Sequence, residues 1–351
     1  MSPPTERQLS RVTASLVTQA HGGGGKAMKD LIDDVFVGEF QATPTVLEDQ
    51  ARLDLGSLAG QGDRLAMTTD GFVVSPLFFP GGDIGTLAVC GTVNDLAVGG
   101  ARPRYLSCAV ILEEGLPVAD LRRIARSMAT AAREAGVEIV TGDTKVVERG
   151  ACDRIFITTT GIGVIPAGRH LGIERIEPDD VIIVNGWLGD HGAAILAARG
   201  DLALDTDIRS DCASLDGIID DLLEAAPDTR CLRDATRGGI ATVLNEMADA
   251  SRLAIAIDDP TLPLRREVRG VCEILGLDPL YLANEGKLVA AVPPSQADAA
   301  LAALRAHPLG QQAAIIGSAH QGKPGRVTLR TGFGGERLVD MLVGEQLPRI
   351  C

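Results

Sequence analysis

Short apolar runs of strand length alternate along this chain with stretches in which apolar residues return every three or four positions. A polypeptide patterned that way packs sheets and helices in layers, so the expected class is α/β, in its layered α+β form. In the first block, strands are expected over Arg64–Thr69, Arg104–Leu112, Glu138–Thr141 and Ile155–Val164, with helices over Thr86–Val98 and Val118–Ala135. A turn-rich join at Pro166–His170 leads to a second block in the same style. Its expected strands are Val181–Asn185, Leu253–Ile257, Lys287–Val292 and Ala314–Ser318, and its expected helices His191–Arg199, Ile218–Ala225, Gly239–Ser251 and Ser295–Ala306.

At 351 residues the chain exceeds what one hydrophobic core usually supports. The boundary is expected near residue 168, with an N-terminal segment 1–40, an N-terminal domain 41–167, a C-terminal domain 168–340 and a tail 341–351. The apolar run Arg104–Leu112 suits either an interface between two copies or the middle of one sheet.

The two ends read as polar and loosely held. Near the N-terminus, His21-Gly22-Gly23-Gly24-Gly25-Lys26 precedes a helix expected over Ala27–Phe36, with apolar residues at 28, 31, 32, 35 and 36. At the other end, Gly344 and Pro348 interrupt the last eleven residues, so a mobile tail is expected from Met341 to Cys351.

Acidic residues outnumber basic ones, 47 to 33, for a net charge of −14. Such a chain repels the phosphates of nucleic acid and anionic lipid, so neither is an expected partner, and a nucleotide would need metal ions to approach. Glu6, Arg7, Gln8, Arg11 and Gln19 interrupt the first twenty residues, which therefore lack a signal peptide's apolar core, and the apolar runs are too short to span a bilayer. A cytoplasmic location is expected. Seven cysteines without a CxxC pair speak against a disulfide framework and a zinc site. Six lie in or beside structured segments, where a small core residue is the plain reading; Cys351 is the last residue.

Four aspartates stand in short polar settings, expected at strand ends or turns: Asp70 in TTDG, Asp95 in VNDL, Asp143 in TGDTK and Asp234 in RDATRGG. Hard carboxylate oxygens from several elements are what Mg²⁺ held between protein and polyphosphate requires. The glycine run can cradle an anion with its amides while Lys26 neutralises it. It is not a P-loop, because Ala20 and Ala27 replace that motif's first glycine and its hydroxyl residue.

Taken in order, HGGGGK, TTDGFVVSPLFFPGGDIG, GTVNDLAVGGARP, TGDTKVV, DATRGG and ANEG, closed by PRIC, resemble the HypE family. That family lies in the superfamily of aminoimidazole ribonucleotide synthetase, selenophosphate synthetase and thiamin-monophosphate kinase. The resemblance covers nearly the whole chain and implies the two-domain aminoimidazole ribonucleotide synthetase-like fold, binding ATP with Mg²⁺ in the N-terminal sheet domain of a homodimer. It puts metal on Asp70, Asp95 and Asp234. It puts nucleotide against Gly22, Gly23, Gly24, Gly25 and Lys26, against Asp70, Asn94 and Asp95, and against Asp143 and Thr144. Gly23 and Gly24 stand where selenophosphate synthetases carry a reactive cysteine or selenocysteine, which argues against selenium chemistry.

With the closing Pro348-Arg349-Ile350-Cys351, the resemblance implies that Cys351 carries a carbamoyl group, to be dehydrated to a thiocyanate at the expense of ATP. A terminal α-carboxylate disfavours the thiolate, which suits a carrier loaded by a partner better than a tuned nucleophile. Fully extended, eleven residues reach roughly 36 Å. For proton transfer the candidates are Glu285, Lys145 and His191. By the same resemblance the partners are the carbamoyltransferase HypF and a HypC–HypD complex that assembles the iron centre of nickel–iron hydrogenase. Two other readings compete: a kinase or ligase of the same superfamily acting on a free small molecule, and an adaptor whose tail is a docking peptide.

Overall fold

In the computed structural model, residues 9–41, 47, 49–200, 206–342, 344, 347 and 349–351 are described. Glu6, Arg7, Gln8 and Pro348 lie outside the described residues.

The first block forms a four-stranded sheet from β1 (Arg64–Phe72), β2 (Arg102–Glu113), β3 (Glu138–Val147) and β4 (Ile155–Ile165), in the order β1-β4-β2-β3. The Arg104–Leu112 run is therefore central, and β1 and β3 are the edges. Among the described residues only one face is covered. Leu106, Cys108, Val110 and Leu112 point into a core shared with the helix of Ile84–Val98 and that of Val118–Glu134. On the opposite face Leu65, Met67 and Ile111 stay 62%, 73% and 41% exposed. The Ile84–Val98 helix starts where the Asp83 carboxylate accepts the backbone N–H groups of Gly85 and Thr86, at 2.9 and 3.0 Å. It is buried nearly all round, as a helix gripped by both halves of the chain must be.

The second block builds a seven-stranded sheet from β5 (Val181–Val184), β6 (Cys231–Asp234), β7 (Ala254–Asp258), β8 (Leu288–Val292), β9 (Ala314–His320), β10 (Val327–Arg330) and β11 (Glu336–Leu338). Their order is β11-β10-β7-β9-β5-β8-β6. Antiparallel pairing of β6 with β8 sets Asp234 opposite Leu288. Beyond the strand ends, Asn284 donates both its backbone N–H and its side-chain amide to the Ala235 carbonyl, at 3.1 and 2.9 Å. Two motifs far apart in sequence, DATRGG and ANEG, are thus tied together.

Several elements differ from their sequence reading. The helix expected over Ala27–Phe36 begins as α-helix at Lys26–Leu31 and widens into a π-helix over Ile32–Val37. Within the widened turns Asp33 is buried, and Asp34 takes two 3.0 Å bonds from Arg122. Strand β3 runs six residues past Thr141, and β1 runs three past Thr69. Asp70 and Asp143 therefore lie inside strands, not at their ends. Asp95 sits within the Ile84–Val98 helix.

Candidate active site

Register decides which carboxylates meet. Asp70 pairs with Thr159, Thr159 with Cys108, and Cys108 with Gly142, so Asp70 shares the covered face of the sheet with Cys108. Asp143 is one residue out of that row and points to the open face, three strand spacings from Asp70, or roughly 14 Å. Lys145 shares the open face and pairs with the Asp143 carboxylate at 3.1 Å. Thr144 turns inward and is buried. The glycine loop lies along this same β3 edge, where a Cβ on Gly22 would stand 2.9 Å from Val146. Lys26 projects from it, 85% exposed, and pairs with Asp30. Within one chain, the nucleotide set is divided between two edges.

At the β1 edge, Asp70, Asp95 and Asp234 draw close enough to act on one another. Asp95 accepts a 3.0 Å bond from the Thr68 hydroxyl, yet burial first, and then the charges of Asp234 and Asp70, push its pKa up to about 6. Burial likewise raises Asp234. Hard oxygens gathered at this energetic expense fit a divalent cation, which would relieve the repulsion. Among the described residues no three His, Cys, Asp or Glu side chains converge tightly enough to hold an ion alone, so the carboxylates form an open set that needs further donors. Asn94, expected at the nucleotide, is committed elsewhere. Its amide donates to the carbonyls of Ala213 and Glu285 at 3.0 and 3.3 Å, and its oxygen accepts from the Leu215 N–H at 2.8 Å. It ties the helix to the C-terminal half.

The tail ends in this cleft. Where a free end was expected, Ile350 is 5% exposed and Cys351 packs against the N-terminal core. The Arg349 carbonyl accepts from the Ser75 N–H at 3.1 Å and from the Arg199 guanidinium at 3.0 Å, and the Arg349 side chain pairs with Asp153. The Cys351 thiol lies within the influence of Glu285; burial above all, reinforced by Glu285, drives its pKa well up, while Arg237 opposes the shift.

Glu285 is 3% exposed, and among the described residues its Oε1 has no hydrogen-bond partner. Burial, then Asp211, Asp234 and Asp70, raise its pKa well above the ordinary carboxylate value, because each of them disfavours the ionised form. Asp211 holds the turn beneath it. Its carboxylate accepts the backbone N–H groups of Glu285 and Gly286, at 3.0 and 3.2 Å, and pairs with Lys287 at 2.9 Å. Burial opposes its charge, but Lys287 and those N–H groups outweigh burial and bring the pKa down. Gly286 is required here, since a Cβ would lie 2.0 Å from the Asp211 carbonyl.

His191, a sequence candidate for proton transfer, has both ring nitrogens occupied, at 2.8 Å from Ser210 Oγ and 2.8 Å from the Ile350 carbonyl. It cannot move a substrate proton without breaking one of these bonds. Sequence reasoning missed Asp211, Lys287, Ser210 and Arg237. The last was visible inside DATRGG, next to two glycines that permit the tight turn: Gly238 has φ 75°. Arg237 reaches within 3.9 Å of Asp70 Oδ1 and is the cation acting on the Cys351 thiol.

Two family models match the chain: AIR synthase related protein, N-terminal domain, over residues 47–165, and AIR synthase related protein, C-terminal domain, over 177–330. The carbamoyl dehydratase HypE of Rhodobacter capsulatus is 63% identical over 335 residues, covering 95% of this chain and 98% of that protein. A crystal structure of the hydrogenase maturation protein HypE in complex with ATP aligns with a TM-score of 0.89 at 51% identity, covering 95% of this chain and 99% of the other. HypE in a HypE–HypF complex aligns with a TM-score of 0.77 at 49% identity, over 79% and 90% of the two chains.

Proposed function

This chain belongs to the HypE family, the ATP-dependent carbamoyl dehydratases of hydrogenase maturation, and we propose that the group it dehydrates is carried on its own Cys351. The observation that carries this reading is the docked tail: Ile350 is buried with its carbonyl on His191, and the terminal thiol lies within the influence of the buried Glu285, Asp70 and Arg237.

The chemistry follows from the poor leaving ability of an amide oxygen. That oxygen takes the γ-phosphoryl group of ATP and one N–H proton departs; loss of the second N–H proton then expels phosphate and leaves S–C≡N, with ADP. Glu285 is the group placed to take an N–H proton, because a carboxyl whose ionised form is disfavoured by burial is correspondingly basic once ionised. Arg237 supplies positive charge where the oxygen becomes phosphorylated. Asp70, Asp95 and Asp234 would hold Mg²⁺, with phosphate oxygens as the remaining donors, and the ion would neutralise charge on the transferring group.

The glycine loop, Lys26, Asp143 and Lys145 stand on the far edge, so a second copy is needed to complete the nucleotide site. The exposed Leu65, Met67 and Ile111 on the open face of the sheet favour a homodimer there. Loading by HypF, delivery of cyanide to a HypC–HypD complex and a cytoplasmic location complete the proposal. Among the described residues no helix is long and apolar enough to cross a membrane. The test is Cys351→Ala. It should bind ATP like the parent, take up no carbamoyl group and yield no thiocyanate. A chain without Cys351 that retains full ATP turnover on a free small molecule would establish the superfamily kinase or ligase reading instead.

A further inference from the structure

His191 is fully buried, beside Phe79, whose ring meets the imidazole edge-on at 5.5 Å. Its hydrogen bonds have a direction that can be worked out. The Ile350 carbonyl can only accept, so Nε2 carries a proton and donates it. Ser210 Oγ accepts the Cys212 N–H at 3.1 Å and is left with its own hydrogen to give to Nδ1. A one-way chain results: Cys212 N–H to Ser210, Ser210 O–H to His191, His191 Nε2–H to Ile350. Burial lowers the imidazole pKa, in keeping with the neutral tautomer this chain requires.

The carbonyl at the end of the chain belongs to the peptide that joins Ile350 to Cys351. A peptide unit is planar, so fixing that oxygen and burying the Ile350 side chain fixes the Cys351 Cα, leaving only the Cys351 φ and one side-chain torsion to aim the sulfur. Ser75 and Arg199 hold the preceding carbonyl, and Asp153 holds the Arg349 side chain. Only His191 grips the last peptide among the described residues. We infer that His191 is a positioning residue, which sets the Cys351 sulfur against Glu285 by holding the final peptide of the tail. The inference rests on the reading of Cys351 as the carrier. It assigns His191 no proton transfer, and it implies that each departure of the tail leaves a buried N–H unpaired, which draws the tail back.

Two variants of the full chain separate the roles. His191→Phe keeps a ring against Phe79 and removes the donor; His191→Gln keeps a donor. Each is compared with the parent for carbamoyl uptake, for single-turnover loss of water from the loaded chain with ATP and Mg²⁺, for ATP affinity, and for alkylation of Cys351 by iodoacetamide, mapped by peptide. His191→Phe should load normally and bind ATP normally, lose water on the order of 100-fold more slowly and alkylate faster at Cys351, with His191→Gln between it and the parent. A His191→Phe chain that loses water at the parent rate and shields Cys351 as well as the parent overturns the inference. If that variant does not fold, Ser210→Ala serves in its place: it frees the proton to sit on either nitrogen, and an unchanged rate and shielding there and in His191→Gln are equally fatal. Should the parent itself never lose water, the proposed function falls, while the alkylation difference still decides the role of His191.

Discussion

At the β3 edge the space beside Gly24 and Gly25 is open among the described residues, and Lys26 and Lys145 are held only by aspartates on the surface. At the β1 edge the penultimate Ile350 is sunk to 5% exposure, its carbonyl is taken by a histidine, and the thiol beyond it lies within the influence of a buried glutamate. Both regions belong to ends of the chain that look alike in composition, each polar and interrupted by glycine or proline. What separates them is the receiving surface. Buried donors with no other use, such as His191 Nε2–H, demand a partner, whereas solvated ammonium groups do not. In the proposed function the finished edge holds the chain's own carrier and the unfinished one receives nucleotide.

If the finished edge performs the chemistry, Glu285→Gln should slow water loss from the loaded chain by about 10³-fold while loading and ATP affinity stay at parent values, as single-turnover mass spectrometry would report. Equal losses in ATP affinity and rate would erase the distinction between the edges. Arg237→Ala should cost about 100-fold in the same rate, with Arg237→Lys recovering part of it, because what matters is positive charge near the oxygen that receives the phosphoryl group.

The aspartates of the β1 edge test what remains incomplete there. Asp95 has its folded pKa raised from 3.8 to about 6. Its contribution to stability is therefore fully present below about pH 4 and is lost as pH rises through about 6, amounting to about 3 kcal/mol by pH 8 in metal-free chain. Thermal melts should show Asp95→Asn more stable than the parent at pH 8 without metal, and Mg²⁺ with ATP should stabilise the parent more than the variant. The smallest effect belongs to the open edge. Lys26→Ala should leave the melting temperature unchanged, since its pair with Asp30 is exposed and worth at most a few tenths of a kcal/mol, yet should weaken ATP binding by about tenfold in calorimetry. A variant that also exposes Cys351 to alkylation would show that the two edges are coupled.

Much of this arrangement is legible in the sequence, for reasons that also mark where legibility stops. Periodicity reveals the Val118–Glu134 helix because it is long and one-sided, whereas the Ile84–Val98 helix, buried nearly all round, is legible by its length. It stops Glu138–Thr141 too early because Gly142 and Asp143 read as a turn, although the strand continues where a Cβ on Gly142 would meet the Cys108 carbonyl at 2.2 Å. Motifs identify Asp70, Asp95, Asp143 and Asp234 as a set, yet which face each occupies depends on strand register, and one residue of offset parts Asp143 from Asp70. The resemblance puts nucleotide against Asn94, and no sequence pattern shows what the packed helix does, that its amide donates to the Ala213 and Glu285 carbonyls. The docking of the tail is written in distant residues, Ser75, His191 and Arg199, and no local pattern at PRIC announces it.

The most direct measurement is intact-protein mass spectrometry of the full chain, first with a carbamoyl donor system and then with ATP and Mg²⁺, alongside Cys351→Ala. A carbamoyl-sized gain confined to Cys351, followed by ATP-dependent loss of one water, is the predicted result. An active donor system that adds nothing to Cys351, or a confirmed adduct that persists unchanged in chain that binds ATP, would contradict the account at its centre.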